Sequence, residues 1–343
     1  MNLFAIFFHL IYYRLLSLKK SLNLFYNFIN IFQNKIILKN TPIILTIEPT
    51  NVCNFKCPLC LTGQGNLIRK KTYISFDYCK KIIDEIGDKL IILSLYQMGE
   101  PFLNKEIYDI ISYAKTYKIF VRISTNGSML NNDKVIEKLI KSKLDHLIIS
   151  IDGASSESYD KYRKNGDFYQ LINNIKRIVE LKKKLKSSLP IIDLQFIIMK
   201  HNEHEIDKIK RLKKELNVDY LSFKSVCVED NDTANISEFL PEKDIFLRYS
   251  VTNKDRTIKT KYPICFQLLF SSVINSEGLV IPCCRDHQSE WIMGDIKKEP
   301  FIFIWNNNNY QNFRKQYYQN RDAIKMCQKC SGSFLNIINK TKV

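Results

Sequence analysis

The chain has 343 residues, and its hydrophobic share of 45% is that of an ordinary globular protein with core enough for one large domain, or a large one and a small one. Its formal charge of +17 leaves an anionic substrate, a nucleic acid or an acidic membrane surface as partners; part of it is lysine on solvated helix faces such as KRIVELKKKLK (176–186). The ten cysteines exclude a disulfide framework, because they include two C-x2-C pairs, Cys57/Cys60 and Cys327/Cys330, and one adjacent pair, Cys283/Cys284. Thiols grouped in this way read as metal ligands, and reduced thiols point to the cytoplasm. Cys79 and Cys227 stand alone and read as buried, inert thiols.

Residues 1–42 form an apolar, aromatic-rich extension. LFAIFFHLIYY (3–13) is cut by Arg14 and Lys19-Lys20, well short of the ~20 residues of a membrane span, and it lacks the flanks of a signal peptide. A second run, LNLFYNFINIF (22–32), follows. Two such helices suit peripheral contact with the inner face of a membrane, the basic residues at headgroup level, or packing on the domain that follows. From residue 43 to 226 β-branched runs alternate with amphipathic ones. Strands are predicted at 43–48, 90–96, 119–125, 146–152, 191–199 and 220–226, with helices at about 76–87, 105–117, 132–142, 167–186 and 203–216. Near-continuous apolar strands separated by helices predict an α/β fold, a parallel sheet in a partial (β/α)6 barrel. Residues 227–262 read as a loop-rich linker. A cysteine-bearing module at 263–343 follows, with short strands SSVIN and LVIP around a turn at 276–278, a solvated NNNN loop (306–309) and a helix at 310–319.

Residues 48–63, EPTNVCNFKCPLCLTG, place Cys53, Cys57 and Cys60 just beyond the first strand, where a (β/α) barrel carries its active site. A structural zinc site or a ferredoxin cluster wants four ligands; three thiolates leave one iron of a 4Fe-4S cluster open. This C-x3-C-x2-C pattern resembles the radical S-adenosylmethionine superfamily, in which the open iron is chelated by S-adenosylmethionine and the cluster's electron yields a 5′-deoxyadenosyl radical. Leu59 departs from the aromatic residue usual before the third cysteine. QMGEP (97–101) resembles the family's Gly-Gly-Glu segment, with Met98 for the first glycine, which implies methionine contacts by Gly99 and Glu100. STNG (124–127) and SIDG (150–153) end the third and fourth strands; the resemblance implies cofactor contacts by Ser124, Asn126, Ser150, Asp152, Arg163 and Gln195.

Cys265, Cys283, Cys327 and Cys330 are spaced C-x12-G-x4-C, a gap of 43, then C-x2-C. By spacing alone these four thiols suit zinc or an iron–sulfur cluster equally. Downstream of such a barrel they resemble the SPASM extension or its shorter twitch form, which implies one auxiliary 4Fe-4S cluster; Cys284 could replace Cys283 as ligand. His201 and His204, in a polar turn, read as surface or capping residues. The resemblance implies a radical SAM oxidoreductase that takes hydrogen from a small polar molecule such as a sugar or nucleotide sugar, fed by a flavodoxin- or ferredoxin-like reductant. Modification of a peptide and a non-catalytic iron–sulfur or zinc scaffold are the alternatives. Nothing in the chain resembles a nucleic-acid module.

Overall fold

The computed structural model describes residues 3–13, 15–227, 236–252, 255–262 and 264–332, so Arg14 lies outside the described residues. Helices α1 (Leu3–Tyr12) and α2 (Leu18–Gln33) precede strand β1 (Ile44–Ile47), the short turn α3 (Leu61–Gln64) and α4 (Phe76–Ile86). Then come β2 (Ile92–Ser94), α5 (Ile107–Thr116), β3 (Phe120–Thr125), α6 (Asp133–Lys141) and β4 (His146–Ser150). The barrel half closes with α7 (Ser156–Tyr162), α8 (Phe168–Lys184), β5 (Ile191–Ile198), α9 (Ile206–Glu215) and β6 (Tyr220–Ser225). All six expected strands are present, each shorter than or equal to its apolar run. The extra turn α7 begins at Ser155, whose hydroxyl accepts from Ser158 N, a cap the sequence reading passed over.

Local chemistry explains the helices. α6 starts where the Asn132 side chain accepts from Val135 N at 3.1 Å, and its Ile136, Leu139 and Ile140 recur on the buried face. Asp133 in its first turn and Lys138 and Lys141 in its last match the helix dipole. α8 is capped in the same way by Asp167. β4 is buried along its whole length because helices cover one face of the sheet and the barrel interior the other.

Residues 227–262 hold more structure than a linker: α10 (Ile236–Phe239) and a hairpin of β7 (Tyr249–Thr252) and β8 (Asp255–Ile258), with Phe239, Phe246 and Tyr249 buried. The remainder comprises α11 (Phe266–Phe270), β9 (Ser271–Ile274), β10 (Leu279–Ile281), β11 (Gly294–Asp295), α12 (Phe301–Ile304), α13 (Asn308–Gln319) and α14 (Lys325–Gln328). Among the described residues one sheet runs β11-β10-β9-β1-β2-β3-β4-β5-β6, so the C-terminal hairpin continues the barrel sheet. β9 lies parallel to β1, pairing Ile44 with Ser271 and Ile47 with Ile274. Gly278 turns the β9–β10 hairpin at φ +87°, in the left-handed region that favours glycine.

Two expectations need correcting here. The NNNN run is no solvated loop: Asn306 bonds Leu38 through both its amide atoms, and Asn307 caps α13. Cys227 is exposed, with Arg285 Nη1 3.1 Å from its sulfur.

The N-terminal helices pack on the N-terminal ends of the strands. His9 Nε2 meets Asp145 Oδ1 at 3.0 Å, and Lys20 Nζ donates to the carbonyls of Tyr117 and Lys118 at 2.9 and 2.7 Å. Lys20 is thereby buried, not held at headgroup level. Among the described residues no helix is long and apolar enough to cross a membrane.

Candidate functional site

The loops that leave the C-terminal ends of β1 to β4 converge on a cavity of about 200 Å³. Cys53, Cys57 and Cys60 line it together with Gly99, Glu100, Ser124, Asn126, Ser150 and Arg163. Of the expected contacts, Asp152 and Gln195 do not line it. Asp152 is fully buried behind the wall, where Oδ2 receives Arg163 Nε at 2.6 Å and Oδ1 receives Ile197 N at 2.7 Å. Arg163, thus aimed, sets Nη1 3.6 Å from Cys57 Sγ. Gln195 lies on β5 outside the cavity lining.

Glu100 is buried and spends its carboxylate inside the protein. It accepts from Thr125 Oγ1 at 2.7 Å, Asn126 N at 2.8 Å and Phe102 N at 3.2 Å, so it ties the loop after β2 to the loop after β3. Burial nonetheless holds its pKa above the usual carboxylate range, against the pull of the Asn126, Thr125 and Phe102 donors. Asn126 in turn donates to Asn54 Oδ1 at 2.9 Å and comes within 4.0 Å of Cys53 Sγ.

Two glycines shape the cradle. A Cβ on Gly99 would collide with the Thr50 and Val52 carbonyls, and one on Gly63 with the backbone of Cys57. Burial pushes the Cys53 thiol up to about 12 and raises Cys57 as well, with Arg163 opposing the rise at Cys57. Thiols raised as Cys53 and Cys57 are favour the thiolate only with a metal beside them. The donor set, three soft ligands open on one side to a glycine-lined cavity, therefore fits an iron–sulfur cluster with a cofactor-sized space beside it.

The sequence reading missed Tyr96 and Tyr162, which line the same cavity, and the ion pair that roofs β1. Arg69 Nη1 and Nη2 each donate to Glu48 at 2.8 Å, while Arg69 Nε donates to His287 O at 2.7 Å. Gln97, inside the QMGEP motif, donates to Cys284 O at 2.7 Å. Alternation along β2 could have found Tyr96, two residues beyond Ser94. Nothing local marks Arg69.

In the C-terminal part, Cys265 caps α11, Cys283 follows β10, and Cys327 and Cys330 bracket the end of α14. Cys265 interacts electrostatically with Cys330, Cys283 with Cys265, and Cys327 with both Cys265 and Cys330. Cys284 is hydrogen-bonded through its side chain to Cys283 and also interacts with His287 and Arg285. Burial raises Cys265 to about 11 and Cys327 to about 12. His204 is exposed, and His201 packs edge-on against Phe239.

Comparison with known proteins decides the lineage. The family model described as the radical SAM superfamily matches residues 47–221, just over half of the chain. The chain belongs to the radical SAM superfamily. A second model, an iron-sulfur cluster-binding domain of the SPASM type, matches residues 265–331. A radical SAM protein with a SPASM domain implies S-adenosylmethionine and 4Fe-4S clusters as cofactors. The mycofactocin maturase MftC of Mycolicibacterium smegmatis is 32% identical over 139 residues, 40% of this chain and 35% of that protein. The AdoMet-dependent heme synthase of Methanosarcina barkeri is 26% identical over 86% of this chain and 89% of its own length. The chain spans less than half the length of the MftC relatives it matches. Streptococcus suis SuiB bound to S-adenosylmethionine shares this radical SAM chain's fold, with a TM-score of 0.65, 16% identity, and 89% of this chain and 75% of that one covered.

Proposed function

We propose that the protein is an enzyme that applies radical S-adenosylmethionine chemistry to a small, polar, anionic molecule such as a nucleotide sugar or sugar phosphate. Cys53, Cys57 and Cys60 would hold the cluster with the open iron, and Gly99, Glu100, Ser124, Asn126, Ser150 and Arg163 would surround S-adenosylmethionine. Bound there, the pair supplies a 5′-deoxyadenosyl radical able to abstract a hydrogen atom. The protein's part is positioning. Glu100 locks the two loops on which Asn126 and Gly99 sit, and Asp152 steers the Arg163 cation toward Cys57 without itself reaching the cavity. Cys265, Cys283, Cys327 and Cys330 would hold an auxiliary cluster, a destination for the second electron of an oxidation.

One observation carries the substrate class. Inside the barrel, on the inward face of the strands, Arg122 and Lys224 bring two cations together. Arg122 bonds Ser94 Oγ through Nε at 2.8 Å and lies over Tyr96, whose ring lines the cavity. Lys224 shares the inward face of β6 with Ser222, which bonds Asp193, and Tyr96 and Arg122 act on its charge, followed by Asp193 and Asp152. Asp193 is itself engaged by Ser222 and His146, and among the described residues neither cation forms an ion pair with a carboxylate; Asp193 and Asp152 act on Lys224 only at longer range. Burial lowers the Lys224 pKa despite the longer-range pull of Asp193 and Asp152, as expected of an ammonium with no ion-pair partner among the described residues. An anionic group on the substrate would supply that counter-ion. The heme synthase, matched across 86% of this chain and named for a small-molecule product, supports the same side; MftC, named a maturase, is matched across 40%.

The test is to reconstitute the protein with iron and sulfide and measure 5′-deoxyadenosine release with nucleotide sugars and sugar phosphates, against the neutral sugars and a set of short peptides. Stimulation by the phosphorylated compounds is expected. Lys224→Met should raise their KM about 30-fold or more, the loss that follows when one side of a desolvated charge pair is removed. Equal stimulation by the neutral sugars, or stimulation by peptides alone, overturns the reading.

A further inference from the structure

Helix α2 is amphipathic the wrong way round for a helix that packs on a protein. Its inward face is polar: Lys20, Asn23, Asn27 and Asn30 are all buried. Asn23 donates to the carbonyls of Thr41 and Lys89 at 3.1 and 3.2 Å, Asn27 donates to Thr41 O at 3.1 Å, and Asn30 bonds Asn40. With Lys20 on Tyr117 and Lys118, the inner face is spent on backbone carbonyls at the bases of β1, β2 and β3. The outward face is apolar. Leu18 is 77% exposed, Leu22 48%, Phe25 60% and Tyr26 52%, positions i, i+4, i+7 and i+8 of one helical stripe. Phe28, on one flank of the stripe, is 46% exposed.

Scattered apolar residues on a surface need no explanation, but a continuous stripe along a helix whose polar groups are turned inward does. Charge selects what covers it. Residues 1–47 contain Arg14, Lys19, Lys20, Lys35 and Lys39 and no Asp or Glu, although Lys20 is turned inward and buried. Lys19 stands exposed at the rim of the stripe, where it pairs with Asp88 at 2.6 Å, and Lys39 is exposed beyond the helix. An apolar helical face with aromatic side chains, set in an acid-free basic segment, matches the interfacial region of an anionic bilayer. We infer that α2 docks flat on an anionic phospholipid surface, with Leu18, Leu22, Phe25 and Tyr26 in the headgroup–acyl boundary. Because α2 lies across the N-terminal ends of the strands, the cavity at their C-terminal ends faces away from the lipid. Its substrate then enters from the aqueous side.

The experiment is flotation of the full chain with phosphatidylcholine vesicles, with and without phosphatidylglycerol. Flotation only with phosphatidylglycerol, weakened by high salt, is expected. A Leu22→Glu/Phe25→Glu double variant should partition about ten-fold more weakly or worse, since each side chain loses its apolar burial and gains a repelled charge. Both positions project outward, so its melting temperature should match that of the unmodified chain. Phe25→Ser should move partition in the same direction with no added charge. A full chain that never floats, one that floats equally on pure phosphatidylcholine, or a double variant that floats like the parent overturns the inference. A concentration-dependent dimer that the double variant abolishes, without any vesicle binding, overturns it in favour of a second copy of the chain.

Discussion

At the end of β1 the carboxylate of Glu48 has no exposure to water and receives both terminal nitrogens of Arg69, and Ser276 N donates to Oε2 at 2.9 Å. Two charges withdrawn from water hold only while both are present, because removal of one leaves the other buried and uncompensated. Glu48→Gln should therefore destabilise the protein by about 3–5 kcal/mol. Replacing both residues with apolar ones of similar size, Glu48→Leu with Arg69→Met, should recover most of that loss in denaturant titration. If the double variant is as unstable as the single one, the ion pair is not the cause. The pair also marks where the sequence becomes opaque. Cys53, Cys57 and Cys60 are legible because a C-x3-C-x2-C spacing is local chemistry. Arg69 lies 21 positions from Glu48 in an irregular loop, so neither periodicity nor spacing joins them. Cys227 is misread for a related reason. Its neighbour Val226 is buried while Cys227 is exposed, and its sulfur meets Arg285, brought there from 58 positions away by the fold.

Among the elements, the barrel strands and helices could be read in the sequence because burial on both faces leaves an apolar run, and one buried helix face leaves a 3.6-residue period. The limits appear where a helix meets backbone in place of side chains. α2 carries asparagines on its inner face, so its periodicity gives the burial direction backwards; only the positions of the Thr41, Lys89, Tyr117 and Lys118 carbonyls correct it. Lys20 is the charge on that inner face. Burial lowers its pKa to about 8 from the usual 10.5, with the Lys115 charge acting the same way. A lysine whose folded pKa lies below its unfolded one costs stability while charged in both states, below pH 8. In the window from about 8 to 10.5 the unfolded chain binds the extra proton, so stability rises with pH. Urea unfolding at pH 7 and at pH 9.5 should show that rise in the parent chain. Lys20→Met should flatten it while costing about 1–3 kcal/mol for the two carbonyls left without a donor. A slope that survives in Lys20→Met belongs to another group.

Over the whole molecule, the cysteine-bearing C-terminal part is built into the barrel sheet. β9 continues the parallel sheet from β1, Ile43 N donates to Phe270 O at 3.0 Å, and Glu48 N donates to Ile274 O at 2.9 Å. Trp305, buried, donates to Asn40 O at 2.8 Å, and Arg314 reaches the carbonyl of Ile36 at 3.0 Å. The segment between the N-terminal helices and β1 is thus clamped by Trp305, just after α12, and by Arg314 of α13. Gln97 crosses from the cavity to Cys284, and Arg69 reaches from the loop over β1 to His287. Removal of residues 263–343 would uncover the edge of β1 and the apolar surfaces under Phe270, Trp305 and Tyr310, an unpaired strand edge next to fresh hydrophobic surface. We expect the chain cut after residue 262 to be insoluble or partly unfolded, and the full chain to unfold in one calorimetric transition with the barrel and the C-terminal strands melting together. Coincident transitions followed by circular dichroism and by the fluorescence of Trp291 and Trp305 would agree with this. A soluble 1–262 fragment with native-like melting, or two separated transitions in the full chain, would show instead that the barrel stands without the strands that extend it.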